Sequence, residues 1–139
     1  MKVKRFLSLM IAVVFVTALC VPVCATETRA SDQIAAYKMK VTPLSGAFSV
    51  FSSVTGTGNV DKLGCESILV YKMVNMEWVL VEIKTEDYPG MSSKDTYHHA
   101  NSVRCSSERG ESYKIVVTIF AENSKGRDTR SETFYNIGE

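Results

Sequence analysis

Residues 36–139 predict an all-β fold, a single antiparallel β-sandwich of about seven strands. Three observations support this prediction. Apolar and polar residues alternate with a period of two, clusters of Gly, Asn, Pro and Ser separate short apolar segments, and no apolar series keeps helical spacing for about ten residues. The first pattern is that of half-buried strands and the second that of turns. Short strands at this spacing are typical of two packed sheets.

The first two strands are indicated by alternation that stops at a turn cluster. Residues 37–42 alternate apolar with polar side chains, and Pro43 ends this strand or marks it as an edge. Residues 47–54 repeat the pattern, and the Thr-Gly-Thr-Gly-Asn cluster at 55–59 predicts a turn that ends the second strand.

The middle of the chain predicts a central strand with a hairpin partner. Residues 65–73 are apolar on both parities, as expected of a strand covered on both sides. Residues 78–84 follow after a short connection and complete the hairpin. The longest loop is expected at 85–95, with a weaker strand at 97–105.

The last two strands show the clearest alternation. Residues 112–121 are rich in β-branched side chains, and a turn at 122–126 leads to a final strand at 129–137. The parity of the first of these strands sends four side chains to the core, Tyr113, Ile115, Val117 and Ile119. The same parity makes Val116 and Phe120 face outward.

Residues 1–25 show the charge and hydropathy pattern of a secretory signal peptide with a helical apolar segment. Positive charges within 2–5 precede an almost uninterrupted apolar stretch at 6–19, and Pro22 then breaks the helix before a small residue, Ala25. We expect cleavage after Ala25. The alternative, an uncleaved membrane anchor, needs about 20 apolar residues in one helix, which Pro22 interrupts.

Cleavage of these 25 residues leaves 114 of the 139, a flexible lead-in at 26–35 and one domain at 36–139. Three of the 16 Lys and Arg residues leave with the leader, so 13 remain against 15 Asp and Glu, a net charge near −2. Nucleic acid and anionic membranes require a concentrated positive surface, and both are therefore excluded as partners. We expect a secreted, extracellular protein with no stable membrane insertion after cleavage.

A resemblance to a known fold family lies in residues 110–126. A Gly, Gly110, stands just before Tyr113, which opens an alternating strand, and an Asn and a Gly close the following turn. This stretch resembles the F strand and F–G turn of fibronectin type III domains. The resemblance implies a fibronectin III/immunoglobulin-like sandwich, in which Tyr113 forms a tyrosine corner with its hydroxyl bonded to the backbone upstream. The whole chain also resembles an uncharacterised family of small secreted proteins of Gram-positive bacteria, which shares the stretches at 64–68 and 110–113 and implies no function.

The topology implied by this resemblance bears on the two cysteines of the mature chain, Cys65 and Cys105. It places them at opposite ends of the sandwich, a strand length of ~20 Å apart. A disulfide needs roughly 4.4 to 6.8 Å between its Cα atoms. Buried free thiols with a structural role are therefore favoured, and a disulfide, which export would permit, is the alternative.

Candidate residues for chemistry are few. His98 and His99 are the only histidines, and neighbouring residues of a strand point to opposite faces, so they cannot bind one metal together unless the strand breaks. Carboxylates at Glu86, Asp87 and Asp95 lack the spacing of a calcium loop. We therefore expect no catalytic residue, no metal and no cofactor.

The most informative residues are apolar side chains that a sandwich leaves outside. The strand that holds Trp78 and Leu80 is expected in the same sheet as Val116 and Phe120, two strands away. An apolar stripe on one sheet face indicates a partner-binding surface or a platform for sugar rings. The alternative is that the N-terminal segment or the long loop covers it.

The sequence thus favours a secreted, non-catalytic interaction module whose ligand is an extracellular protein, the cell wall or a glycan. One alternative is a small secreted enzyme or metal-binding protein that uses His98 or His99 with loop carboxylates. The other is an envelope component that self-associates through exposed strand edges. The oligomeric state stays open.

Overall fold

The computed structural model describes residues 33–139. The expected signal peptide and most of the expected lead-in lie outside these residues. Every regular element within 33–139 is a β-strand, so the all-β prediction is confirmed for the domain. No helix in this part of the chain is long and apolar enough to cross a bilayer.

Six strands make up the described chain. They are β1 (Ile34–Leu44), β2 (Ala47–Val74), β3 (Glu77–Thr85), β4 (Ser92–Ser106), β5 (Ser112–Asn123) and β6 (Gly126–Ile137). The strand predicted at 97–105 begins earlier than expected, so the loop between β3 and β4 is shorter than the predicted 85–95.

The turn predicted at 55–59 is wrong, because β2 continues through it as a single strand of 28 residues. Pairing with β4 passes from Thr55 opposite His98 to Val60 opposite Thr96, so four residues of β2 bulge out against one of β4. A Cβ on Gly56 would approach the Gly58 carbonyl oxygen to 2.8 Å, so the absence of a side chain permits this tight bend. Two of the seven predicted strands are therefore one bent strand.

The long β2 strand organises the whole sheet. Before its bend, β2 pairs with β1 on one side and β4 on the other. After the bend, β2 still pairs with β4 as far as Gly64, and it also pairs with β3 and β5. β6 pairs with β5, and all pairings are antiparallel. The result is one curled antiparallel sheet that changes neighbours at the β2 bend.

The curl brings both halves of β2 into one hydrophobic core. Val50 and Val54 of the first half share a cluster with Ile68 and Val70 of the second. The four residues of β5 expected to face inward are all buried in this cluster, namely Tyr113, Ile115, Val117 and Ile119. The predicted parity of β5 thus matches the observed burial.

Tyr113 closes one end of this core. Its ring packs edge-to-face on Phe48, with centroids 5.1 Å apart and planes at 73°. Its hydroxyl accepts a hydrogen bond of 2.8 Å from the backbone N–H of Glu108, five residues upstream. This is the contact that defines a tyrosine corner.

Cys65 and Cys105 are both free and fully buried. The Cys65 thiol donates to the carbonyl oxygens of Thr118 at 3.4 Å and Ser67 at 3.6 Å. Burial raises the pKa of Cys65 to about 11 and that of Cys105 to about 12. In the structure, both thiols are packing groups of the core.

Candidate functional site

The outer surface of the sheet β3–β2–β5–β6 carries the candidate site. Its side chains fall on cross-strand rows that alternate with the buried positions of β5. We call the following three rows the outer face: Leu80–Tyr71–Lys114–Tyr135, Ile83–Leu69–Val116–Thr133, and Trp78–Met73 with Ser112–Ile137. Strand pairing thus places three of the four residues predicted for binding, Trp78, Leu80 and Val116, on one face.

Several large apolar side chains of this face are exposed to water. Leu80 is 48 % exposed, Ile83 58 %, Ile137 61 % and Tyr135 67 %. Isolated exposed apolar residues are ordinary, but contiguous apolar patches on one face mark contact surfaces. Because these residues lie on strands with cross-strand neighbours, the patch is held by a regular backbone.

An aromatic pair spans the face from one sheet edge to the other. Trp78 of β3 and Tyr135 of β6 have ring centroids 5.9 Å apart, with planes tilted by 51°. The two rings reach toward each other across β2 and β5. Beside them lies a shallow groove lined by Met73, Ser112, Ile137 and Pro43.

Lys114 is the one formal charge in the three rows of the outer face. Its ammonium lies 4.3 Å from the centre of the Tyr71 ring and 5.6 Å from that of Trp78. Both distances permit a cation–π interaction, which contributes roughly 0.5 to 1 kcal/mol at exposed sites. The site therefore combines aromatic rings, aliphatic side chains and one ammonium group.

Phe120, the fourth residue predicted for this surface, is not available to a ligand. It points away from the core, as its parity predicts, and yet it is fully buried. The Arg127 guanidinium lies 4.0 Å from the ring centre, and the Lys62 ammonium lies 5.8 Å from it. The expectation that Phe120 is an exposed binding residue is corrected, because charged side chains cover the ring.

The cover over Phe120 is a network of ion pairs that gathers four parts of the chain. Arg127 of β6 bonds to Glu66 of β2 at 2.8 Å, to Glu86 of the β3–β4 loop at 2.9 Å and to Glu122 of β5 at 2.7 Å. Lys62 adds a second cation, 3.4 Å from Glu86. We call these five residues the Arg127 network.

The charges of the network hold one another in the ionised state. Partial burial alone would raise the pKa of Glu86, but the hydrogen bond and positive charge of Arg127, aided by Lys62, lower it overall. Desolvation alone would lower the pKa of Arg127, but its bonds to Glu66, Glu122 and Glu86 raise it. The network thus acts as a fixed polar cover and leaves little free charge to bind a ligand.

The two histidines are engaged separately. The His98 Nδ1 lies 3.0 Å from the Thr55 hydroxyl. The His99 Nδ1 lies 2.7 Å from the Ser93 hydroxyl, and its Nε2 lies 2.9 Å from the Gly90 carbonyl oxygen. A carbonyl only accepts, so Nε2 of His99 donates, and in the neutral ring Nδ1 accepts from Ser93.

The alternative of a metal or enzyme centre gains no geometric support in residues 33–139. No group of three or more His, Cys, Asp and Glu side chains is placed there to hold a metal ion. Of the loop carboxylates considered, Glu86 is bound by Arg127 and Lys62. The histidines and carboxylates therefore do not form one site in this part of the chain.

Several residues of the outer face were not identified from the sequence, among them Tyr71, Tyr135 and, as a ligand contact, Lys114. Alternation in the last strand gives a signal for Tyr135, which shares its parity with Thr129, Ser131 and Thr133. Tyr71 lies in a stretch that is apolar on both parities, so the sequence pattern does not indicate which face of the sheet its side chain occupies.

No protein-family model matches the chain, no curated protein sequence is significantly similar to it, and no solved structure significantly matches its fold.

Proposed function

We propose that the chain is exported and acts as a non-catalytic interaction module that binds an extracellular protein through the outer face. The domain belongs, in this proposal, to the fibronectin III/immunoglobulin-like sandwiches. The observation that carries the proposal is the Trp78–Tyr135 ring pair, set among exposed aliphatic side chains on a regular sheet. Export is supported by the charge and hydropathy pattern of residues 1–25.

The composition of the face suits a protein contact. Trp and Tyr are the residues that most often dominate binding energy, and burial of apolar area yields about 25 cal/mol per Å² removed from water. Rigid aromatic side chains also lose little conformational freedom on binding. A partner that covers Trp78, Leu80 and Tyr135 would bury all of these groups together.

A protein partner is favoured over a sugar by the scarcity of polar groups on the face. Besides Lys114, the two tyrosine hydroxyls and the indole N–H of Trp78, the three rows offer only the hydroxyls of Ser112 and Thr133. A sugar ring carries hydroxyls around its edge, and each hydroxyl buried without a partner costs free energy. An apolar protein surface makes no such demand.

The binding test compares Trp78→Ala and Tyr135→Ala with Tyr97→Ala. Tyr97 is a matched control, because it is 61 % exposed and lies on β4, away from the outer face. Each protein is immobilised and challenged with separate protein and polysaccharide fractions of the producing cell's surface. We expect the protein fraction to bind the wild type and Tyr97→Ala but not the other two variants.

Two results would overturn this proposal. Equal retention by the wild type and Trp78→Ala, with unchanged circular dichroism, would show that the outer face is not the binding surface. Retention of polysaccharide alone would show that the partner class is wrong. Export is tested separately by mass spectrometry of culture medium, where the mature chain is expected to begin at Thr26.

A second candidate function, self-association, is favoured by the exposed side chains of β3. Within the described chain β3 pairs with β2 alone, and Val79, Val81 and Ile83 are each at least 44 % exposed. Such a strand is a template for pairing with another copy. Its irregularity opposes this, because the register with β2 shifts between Val70 and Tyr71. Sedimentation velocity at rising concentration tests it, and a constant monomeric coefficient would reject it.

A further inference from the structure

We infer that the partner bound by the outer face presents an acidic side chain flanked by apolar side chains, and that its carboxylate pairs with Lys114. This inference rests on the proposed function and specifies the chemistry of the partner. It is drawn from a comparison of Lys114 with the other half-buried lysines, which are paired with glutamates.

Four lysines in residues 33–139 are half-buried, Lys62, Lys72, Lys84 and Lys114. The first three each have a glutamate oxygen within 4.0 Å of the ammonium. Lys62 pairs with Glu86, Lys72 with Glu108 and Lys84 with Glu82. Lys114 is the exception in this part of the chain, because its contacts there are with the Tyr71 and Trp78 rings.

Within residues 33–139, no carboxylate oxygen lies within 4.0 Å of the Lys114 ammonium, and the position of Lys114 explains this. It lies between Tyr71 and Tyr135 along its row, and its neighbours in the other two rows are apolar or carry hydroxyls. In the free protein, water and the two rings stabilise the ammonium. The ring contacts also fix the ammonium at the centre of the face, where a bound partner would meet it.

A partner that covers this face removes water from Lys114. An ammonium buried without a counter-ion is strongly unfavourable, whereas one paired with a carboxylate recovers much of the lost solvation. A partner that seals the apolar rows must therefore bring an anion to the centre of its contact. In a protein partner that anion is an Asp or Glu carboxylate, surrounded by the apolar side chains that cover Leu80, Ile83 and Ile137.

The experiment uses two fluorescent probes with nearly the same rings. One, 8-anilinonaphthalene-1-sulfonate, combines apolar rings with an anion, and the other, N-phenyl-1-naphthylamine, has the rings without the anion. Each is titrated against the wild type, Lys114→Met, Trp78→Ala and Lys125→Met. Lys125 is a matched control, because it is an exposed lysine in the β5–β6 turn, away from the outer face.

We expect Lys114→Met to weaken binding of the anionic probe about tenfold, which equals about 1.4 kcal/mol, and to leave the neutral probe unchanged. Trp78→Ala should weaken both probes, and Lys125→Met neither. If Lys114→Met leaves the anionic probe unchanged, weakens both probes equally, or is matched by Lys125→Met, the inference is wrong. If Trp78→Ala affects neither probe, the outer face itself fails as a binding surface, which is the separate failure of the proposed function.

A second measurement addresses the protein partner directly. Random peptides displayed on phage are selected on the wild type and, in parallel, on Lys114→Met with its fold checked by circular dichroism. We expect Asp or Glu between apolar residues to be enriched on the wild type and not on the variant. Enrichment of the same acidic peptides on both proteins would overturn the role given to Lys114, and so would neutral peptides on the wild type.

Discussion

The guanidinium of Arg127 lies 4.0 Å from the centre of the Phe120 ring and covers an aromatic residue that points away from the core. The same guanidinium bonds to Glu66, Glu86 and Glu122, so one side chain both shields an apolar group and joins three carboxylates. The sheet face that holds the candidate site is therefore divided. One end is sealed by charge and the other, around Trp78 and Tyr135, is open.

Replacement of Arg127 by alanine should destabilise the domain by about 1 to 2 kcal/mol. The expected loss combines a cation–π contact with three partly exposed ion pairs, each of which is small on its own. Urea unfolding followed by circular dichroism measures it. Arg109→Ala, at an exposed position of the β4–β5 turn, is the control and should change stability by less than about 0.5 kcal/mol. Equal stability of Arg127→Ala and the wild type would show that the network does not support the fold.

The Arg127 network should also make stability depend on pH in the acid range. The pKa of Glu86 is lowered from its ordinary 4.5, so its contribution is fully present above 4.5 and is lost as the pH falls through the lowered value. We expect the urea midpoint of the wild type to fall between pH 5 and pH 3, and that of Glu86→Gln to fall less. Glu77→Gln, at an exposed position of β3, should follow the wild type. Parallel pH profiles for all three proteins would contradict the assignment.

The parity of β5 was predictable from sequence, but the fate of Phe120 was not. Strict alternation from Tyr113 to Ile119 fixes which side chains face inward, since that rule is local. Burial of Phe120 depends on Glu66, Glu86 and Arg127, which meet from separate parts of the chain. No local pattern identifies these partners, so sequence reasoning predicted the direction of the side chain and not its cover.

The bend of β2 shows the same limit. Gly and Asn residues at 55–59 are compatible with a chain reversal and with a bulge. After a reversal the strand ends, whereas after a bulge the strand continues beside the same partner. In the structure both halves of β2 pair with β4, so the strand bends and continues. The glycines therefore indicate an irregularity in the strand, but they do not distinguish a turn from a bulge.

Gly64 should tolerate no side chain, in contrast to Gly58. Gly64 has φ of 152°, and a Cβ there would collide with the Met91 carbonyl oxygen and lie 2.6 Å from the Ser92 Cα. A Cβ on Gly58 would have no atom within 4 Å. We expect Gly64→Ala to lower the free energy of unfolding by about 3 kcal/mol or more and Gly58→Ala by less than about 1 kcal/mol. Similar urea midpoints for the two variants would refute this reading of the β2–β4 contact.

Replacement of Met76 by glycine should stabilise the domain. Asn75 and Met76 form the two-residue turn between β2 and β3 with φ of 50° and 67°, the signs of a type I′ turn. Left-handed backbone costs a side-chain-bearing residue roughly 1 kcal/mol, and Met76 is 95 % exposed, so little packing is lost with its side chain. Thermal unfolding should show Met76→Gly more stable than the wild type by about 0.5 to 1 kcal/mol. Met76→Ala keeps the strain and should not gain, so an equal gain for both would assign the effect to the side chain instead.

Cys65 and Cys105 should resist alkylation in the folded protein. The thiolate is the reactive form, and burial raises the pKa values to about 11 and about 12, so little thiolate is present at pH 8. Their full burial also excludes the reagent. After iodoacetamide treatment and digestion, mass spectrometry should find both peptides unmodified in native protein and both modified in protein unfolded by concentrated urea. A native peptide pair joined by a Cys65–Cys105 disulfide, or rapid modification of either thiol without urea, would contradict the packing of both thiols in a closed core.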